Sequence, residues 1–90
     1  MNFTRDGIPT HANIHQAWEH KKRGVMTKRC KVSSIVAGRR QDKTLEVGEE
    51  VWVLLYISAG VFRPLYIVSN KRIGMHVSVP YTAVKILKEV

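Results

Sequence analysis

The second half of the chain holds short apolar runs separated by turn-forming residues, and this spacing restricts the fold more than any other feature. The clearest run is 51–57, where β-branched and aromatic residues predict a buried strand. After it the sequence predicts turns at 58–60, 70–74 and 80–82, and strands at 62–69, 75–79 and 83–87. Short strands at intervals of roughly 8–12 residues are typical of a small barrel or sandwich.

One short α-helix is predicted over 10–23. Thr10 follows a proline and suits the N-cap, and Gly24 suits the position after the last helical residue. Apolar residues at i, i+3 and i+4 form a stripe that would dock the helix on the rest of the protein. The stripe consists of Ile14, Ala17 and Trp18.

The remainder of the first half is expected to form an arm, a strand and a loop. Residues 1–9 are polar and contain one glycine and one proline, which predicts an irregular arm. Cys30 and Val32 alternate with polar residues, which predicts a strand. Residues 38–42 are expected to be a turn or loop.

The segment 46–87 resembles the SH3-like small barrels, including the KOW and Tudor types. Its opening residues are VGEEVWV at 47–53, and its closing residues are VPYTAVKIL at 79–87. The resemblance implies a five-stranded barrel over about residues 28–87. We therefore expect a mostly β fold, a small SH3-like barrel with an N-terminal arm and one short α-helix. It would be one compact domain, with the basic arm and helix in 1–27 and the barrel in 28–90.

The positive charge is concentrated in the first half of the chain. The chain has 15 Lys and Arg against 7 Asp and Glu, a formal net charge of +8. Residues 1–45 hold ten of the basic and three of the acidic residues, so this half carries +7. A one-sided basic surface is the electrostatic pattern of a nucleic-acid-binding protein, although acidic proteins would be attracted as well.

Four basic clusters are the candidate nucleic-acid-binding residues. Lys and Arg side chains release counterions when they neutralise phosphates, which gives affinity without sequence preference. RNA is favoured over DNA because of the barrel resemblance and because no helix-turn-helix pattern occurs. Trp18, beside the first cluster, is a candidate for stacking on an unpaired base, and docking of the helix is its alternative role. The clusters contain Lys21, Lys22, Arg23, Lys28, Arg29, Lys31, Arg39, Arg40, Lys43, Lys71 and Arg72.

A second resemblance points to an enzyme. The segments GEEVWV at 48–53, RPLYIVSN at 63–70 and VPYT at 79–82 are similar to the MazF/PemK endoribonuclease toxins. The resemblance implies that Arg63 and Thr82 would be catalytic, since RNA cleavage requires activation of a 2′-hydroxyl and stabilisation of a phosphorane. We predict a protein without enzymatic activity and keep the endoribonuclease as an alternative.

In size, charge and fold the chain also looks like small accessory proteins of large phages, some of which bind RNA and neutralise host defence nucleases. The resemblance implies a phage-type accessory factor that acts in the host cytoplasm. An inhibitor that binds an acidic host protein directly, with the same charge and no nucleic acid, is a further alternative. The oligomeric state is left open.

Three residues spaced i, i+4 and i+8 on the predicted helix form a candidate metal site: His11, His15 and Glu19. Two histidines four residues apart on a helix can bind zinc. No glutamate stands directly after His11 to act as a catalytic base, and no cysteine pair accompanies the histidines. We therefore expect exposed histidines, no metal and no cofactor.

Cys30 is the only cysteine, so no intramolecular disulfide is possible and a reducing compartment is expected. Its alternation with Val32 predicts a buried strand residue and not a nucleophile. The sequence contains no run of about 18 apolar residues and no apolar signal segment, so we expect a cytoplasmic protein with no membrane partner.

Overall fold

A computed structural model describes residues 2–58 and 63–88. Within them the chain forms seven β-strands and one short α-helix, which confirms the predicted mostly β fold. In chain order the elements are α1 (Ile14–Glu19), β1 (Lys22–Met26), β2 (Cys30–Val36), β3 (Arg39–Leu45), β4 (Glu50–Ile57), β5 (Leu65–Ser69), β6 (Val77–Pro80), a 3₁₀ turn (Tyr81–Ala83) and β7 (Val84–Ile86).

Five strands form one antiparallel sheet in the order β6-β5-β4-β1-β7, and β2 and β3 form a separate hairpin. The register between β4 and β5 shifts between Val53 and Leu55. This irregularity allows two successive side chains, Val53 and Leu54, to be fully buried. The core includes residues from both sheets and from the arm: Ile8, Met26, Val32, Leu45, Val51, Val53, Tyr66, Val68, Ile73, Met75, Val77, Val79, Ala83 and Val84.

The five-stranded sheet is strongly curved. Its edge strands, β6 and β7, are joined only by the 3₁₀ turn. In a flat sheet, four strand spacings of roughly 4.8 Å would separate the two edges by about 19 Å. The chain from Pro80 to Val84 can span at most about 14 Å. The sheet must therefore curve until its edges approach each other.

The helix is shorter than the predicted 10–23 and begins later. Asn13 is the N-cap: its side chain accepts a hydrogen bond from the Gln16 N–H at 2.9 Å, and the Gln16 side chain accepts one from the Asn13 N–H at 3.1 Å. Thr10, the predicted N-cap, instead donates its hydroxyl to the Asn2 carbonyl. The prediction missed this reciprocal cap because Thr10 follows a proline and matched the simpler start signal.

The last residues of the predicted helix belong to a strand. β1 begins at Lys22 and pairs with β4 on one side and β7 on the other. Gly24 was predicted to follow the helix, but it is buried within β1. A Cβ atom at this position would lie 2.8 Å from Val53 Cγ2 and 2.9 Å from Val84 Cγ1. Gly24 therefore permits close packing between strands, and the sheet begins before the predicted start of the barrel.

Residues 38–42 were predicted to be a loop, but most of them lie in β3. Only Ala37 and Gly38 separate β2 from β3, and both have positive φ, +52° and +76°. Positive φ at both central residues is what a type I′ hairpin turn requires. The prediction failed because the first turn residue is alanine, where asparagine or aspartate would have marked the turn, and because β3 is almost entirely polar.

The N-terminal arm was predicted to be irregular, but it forms a closed loop that packs on the core. The Thr10 N–H donates to the Asn2 carbonyl at 2.9 Å and closes the loop. Ile8 is fully buried in the core. The Pro9 carbonyl accepts a hydrogen bond from the Tyr56 N–H at 3.0 Å, which attaches the arm to β4.

The second half lies close to its predicted positions. β4 covers the run at 51–57, and β6 and β7 overlap the strands that the alternation predicted. The turn predicted at 80–82 is confirmed as the 3₁₀ turn. β5 begins at Leu65, and Phe62, the predicted start of that strand, lies outside the described residues.

Candidate nucleic-acid interface

Six of the predicted phosphate-binding residues lie on or beside the β2–β3 hairpin. Residues 28–45 contain these six cations and one acid, so they carry +5 of the net charge of +8. Lys28 and Arg29 lie just before β2, Lys31 lies in β2, and Arg39, Arg40 and Lys43 lie in β3.

The register of the hairpin places these cations on both of its faces. Directly paired residues of an antiparallel ladder point to the same face. Arg39 is paired with Val36 on one face. Arg40 is paired with Ile35 on the other face, which also carries Lys31.

Burial decreases along the hairpin towards its turn. Val32 and Leu45, near the base, are buried in the core, whereas Val36 is 42% exposed and Ile35 is 76% exposed. Every residue from 39 to 43 is exposed. The outer half of the hairpin therefore has solvent on both faces.

Two of the hairpin cations have exposed acidic neighbours. Arg40 Nε lies 3.1 Å from Asp42 Oδ1, and Arg29 Nε lies 3.4 Å from Glu46 Oε1. All four side chains are at least 60% exposed. Exposed ion pairs contribute about 0–1 kcal/mol, so these guanidinium groups can exchange their carboxylates for phosphates with little loss of stability.

An open groove of about 420 Å³ lies along the hairpin. Three cationic and two hydroxyl side chains line it, and side chains of these kinds donate hydrogen bonds to phosphate oxygens. Its lining residues are Lys31, Val32, Ser33, Arg40, Asp42, Lys43 and Thr44.

Arg72, a predicted phosphate ligand, is held in a network of hydrogen bonds within the protein. Its guanidinium donates to both carboxylate oxygens of Glu49, at 2.6 and 2.7 Å, and to the Thr44 carbonyl. The Glu49 side chain is 16% exposed and also accepts from Asn70 at 2.9 Å. The hydrogen bond from Arg72 lowers the pKa of Glu49 from 4.5 to about 2. Arg72 thus links β3, the residue before β4 and the turn after β5, although its side chain is exposed, as that of Lys71 is.

The 21–23 cluster lies on and beside β1, apart from the hairpin in the sheet order. Lys21 Nζ lies 5.0 Å from the centroid of the Trp52 ring, and Arg23 pairs with Glu50 at 2.8 Å. Lys22 lines a second open groove, of about 350 Å³. The residues lining that groove are Arg5, Asp6, Lys22, Arg23, Ile86, Leu87 and Lys88.

Four residues of these surfaces were missed by the sequence analysis. Arg5 and Lys88 are isolated in the sequence, and only the fold brings both chain ends beside β1. Ile35 and Val36 are apolar and were not among the candidate binding residues, yet they lie exposed among the hairpin cations. The one available signal was their position next to Gly38, at the point where the chain reverses.

Trp18 contacts the turn before β6. Its indole Nε1 donates to His76 Nε2 at 2.9 Å, and the two rings meet edge to face with centroids 5.8 Å apart. Ala17, also in the predicted stripe, is fully buried, whereas Ile14 is exposed. The contacts of Trp18 therefore favour docking of α1 over stacking on a base.

The candidate metal residues do not share one helical face, because His11 precedes α1 while His15 and Glu19 lie within it. The His11 ring lies 3.1 Å from the Thr10 hydroxyl. Among the residues that the structure describes, no group of three or more His, Cys, Asp and Glu side chains could hold a metal ion.

Cys30 is the first residue of β2 and is paired with Leu45. Its side chain is half-buried and packs against the core, which agrees with the predicted strand residue. Burial raises the pKa of its thiol, which disfavours the nucleophilic thiolate form.

The two residues of the endoribonuclease alternative lie at the same end of the sheet. The Tyr81 N–H donates to the Pro64 carbonyl at 3.1 Å. Arg63 precedes Pro64 and Thr82 follows Tyr81, so the two residues lie on the same side of this hydrogen bond. Both are exposed. Within the described part of the chain, no hydrogen bond joins their side chains to each other.

Comparison with protein-family models, with curated proteins and with solved structures finds no match for this chain. In the part of the chain that the structure describes, no helix has the length and apolar character needed to cross a membrane.

Proposed function

We propose that this protein binds nucleic acid through contacts with the phosphate backbone. The observation that carries the proposal is the concentration of +5 in residues 28–45, on and beside one hairpin whose outer half is exposed on both faces. Cations presented in this way can approach several phosphates at once, and each phosphate that is neutralised releases counterions. The weak, exposed ion pairs of Arg40 and Arg29 leave these groups free to exchange partners.

We also propose that the five-stranded sheet is an SH3-like barrel. Its support is the strong curvature of the sheet and the 3₁₀ turn after Pro80 that leads into β7. β1 would then be a barrel strand contributed by the first half of the chain. The preference for RNA rests on this resemblance and on the absence of a helix-turn-helix pattern in the sequence. The contacts of Trp18 add nothing to it, because they do not support stacking on unpaired bases.

Direct binding tests this proposal. Fluorescence anisotropy at about 50 mM salt would measure affinity for duplex DNA, duplex RNA and single strands of each, with polyglutamate as a competitor of equal charge. We expect tight binding to at least one nucleic acid and weak competition by polyglutamate, because exposed Arg and Lys side chains release the counterions that are condensed on nucleic acid. Absence of binding to all four polymers would contradict the proposal. Equal competition by polyglutamate would instead favour the inhibitor of an acidic protein.

RNA cleavage is a second candidate function, because the paired segments at Pro64 and Tyr81 bring Arg63 and Thr82 to one end of the sheet. The purified protein would then cleave single-stranded RNA, and Arg63→Ala would abolish cleavage, while Arg5→Ala would retain it. RNA that stays intact with the wild-type protein rules this candidate out.

A further inference from the structure

The β2–β3 hairpin has the shape of a narrow, projecting ribbon. It consists of two strands only and is separate from the five-stranded sheet. A two-residue turn closes it, so the end of the ribbon is no wider than the two strands. Val32 and Leu45 hold its base in the core, and the residues beyond Ser34 are exposed.

The length of the exposed part matches the depth of a major groove. From Ser34 to the turn at Ala37 the strand advances about 10 Å, at about 3.4 Å per residue. The major groove of B-form DNA is about 12 Å wide and about 8.5 Å deep, and it admits a two-stranded ribbon. The minor groove of undistorted B-form DNA is about 6 Å wide, which is narrower than a two-stranded ribbon with its side chains.

The side chains of the ribbon suit the walls and the floor of that groove. Cations on both faces, Arg39 on one and Arg40 on the other, would meet the phosphates of both strands that border the groove. Ile35 is paired with Arg40 on the same face near the end of the ribbon and is 76% exposed, where an apolar side chain can contact thymine methyl groups in the groove. A-form RNA offers no equivalent site, because its major groove is deep and too narrow for side chains to read.

We propose that the β2–β3 hairpin enters the major groove of duplex DNA. This inference rests on the proposed nucleic-acid binding and deepens it: the hairpin is the contact element, and B-form duplex DNA replaces RNA as the preferred substrate. The 21–23 cluster and its groove then lie outside the main contact.

A comparison of affinities and chemical footprinting test the inference. Anisotropy would compare duplex DNA and duplex RNA of one sequence, about 20 base pairs long. Dimethyl sulfate would then probe guanine N7, which lies in the major groove, and adenine N3, which lies in the minor groove. We expect at least tenfold tighter binding to the DNA duplex, protection of guanine N7 and continued methylation of adenine N3.

A pair of matched triple variants assigns the footprint to the hairpin. The hairpin variant is Arg39→Gln, Arg40→Gln and Lys43→Gln, and the control variant is Arg63→Gln, Lys85→Gln and Lys88→Gln, which removes the same charge from exposed positions outside the four basic clusters. We expect the hairpin variant to bind DNA at least about tenfold more weakly and to lose N7 protection, whereas the control retains it. Circular dichroism and thermal unfolding confirm that both remain folded.

Several outcomes would overturn the inference while leaving nucleic-acid binding intact. They are equal or tighter binding to the RNA duplex or to single strands, protection confined to adenine N3, and equal losses in the two variants. If no nucleic acid binds at low salt, the proposed function itself fails. The two failures are therefore distinguishable in one set of experiments.

Discussion

At the scale of single residues, two arginines with the same chemistry differ in how firmly the protein holds their guanidinium groups, because their carboxylate partners differ in burial. Arg72 donates to Glu49, which is largely buried and also held by Asn70. Arg40 faces Asp42, which is exposed to solvent. Both arginines belong to the predicted binding set, because a run of basic residues does not show which acid the fold brings to each of them.

Acid titration measures the role of Glu49. Its pKa is about 2 in the folded chain and its ordinary value is 4.5, so its contribution to the free energy of unfolding is present above about pH 4.5 and is lost as the pH falls towards 2. We expect Glu49→Gln to be less stable than wild type at pH 7 and to lose less stability between about pH 4.5 and 2. Urea unfolding at several pH values gives both quantities.

Glu50→Gln is the matched control for this titration, since its carboxylate is 61% exposed in its pair with Arg23. Exposed pairs are screened by solvent, so the control should follow the wild-type pH dependence closely. If Glu49→Gln also follows it, the Arg72–Glu49 network does not stabilise the fold as described.

Gly24 is a residue at which one added carbon should disturb the sheet. Its Cβ would approach Val53 and Val84 more closely than 3.0 Å, within a strand paired on both sides. We expect Gly24→Ala to lower the free energy of unfolding by about 1–3 kcal/mol, which is typical of overpacking. Ser33→Ala, at an exposed strand position, should change it by less than about 0.5 kcal/mol. An unchanged melting temperature for Gly24→Ala would refute the close packing of β1.

At the scale of elements, β1 shows why local sequence signals failed in the first half. A basic run followed by glycine is a common helix ending, and residues 21–24 match it. Yet residues 22–26 gain hydrogen-bonded partners on both sides, β4 and β7, from distant parts of the sequence. No local window contains that information. β4 was predicted well because its own apolar run requires burial wherever its partners lie.

The hairpin turn provides a prediction at the element scale. Ala37 has φ +52°, a conformation that disfavours residues with a Cβ atom and favours asparagine or glycine. Ala37→Asn should stabilise the protein by about 1 kcal/mol in urea unfolding, because Asn-Gly is a preferred type I′ pair. Ala37→Val should destabilise it, since β-branched side chains fit this region poorly. The opposite order of the two variants would show that the two strands are joined by another kind of turn.

At the scale of the whole molecule, the fold divides the basic half into two surfaces. The sequence predicted the class of fold, the short helix and the location of the charge in residues 1–45. It did not predict that +5 of that charge would lie on and beside one hairpin, or that residues 21–23 would lie on and beside β1, because both depend on strand pairing. The alternation that predicts strands is absent from β3, where polar side chains face solvent on both sides.

The salt dependence of DNA binding tests the central claim most directly. For wild type, the logarithm of the binding constant should fall linearly with the logarithm of salt concentration. Each phosphate contacted contributes about −0.9 to the slope. Removing Arg39, Arg40 and Lys43 together should reduce the size of that slope by about 2 to 3, while the control variant that lacks Arg63, Lys85 and Lys88 keeps a slope close to wild type. Equal slopes for wild type and the hairpin variant would contradict the claim that the β2–β3 hairpin binds the phosphate backbone.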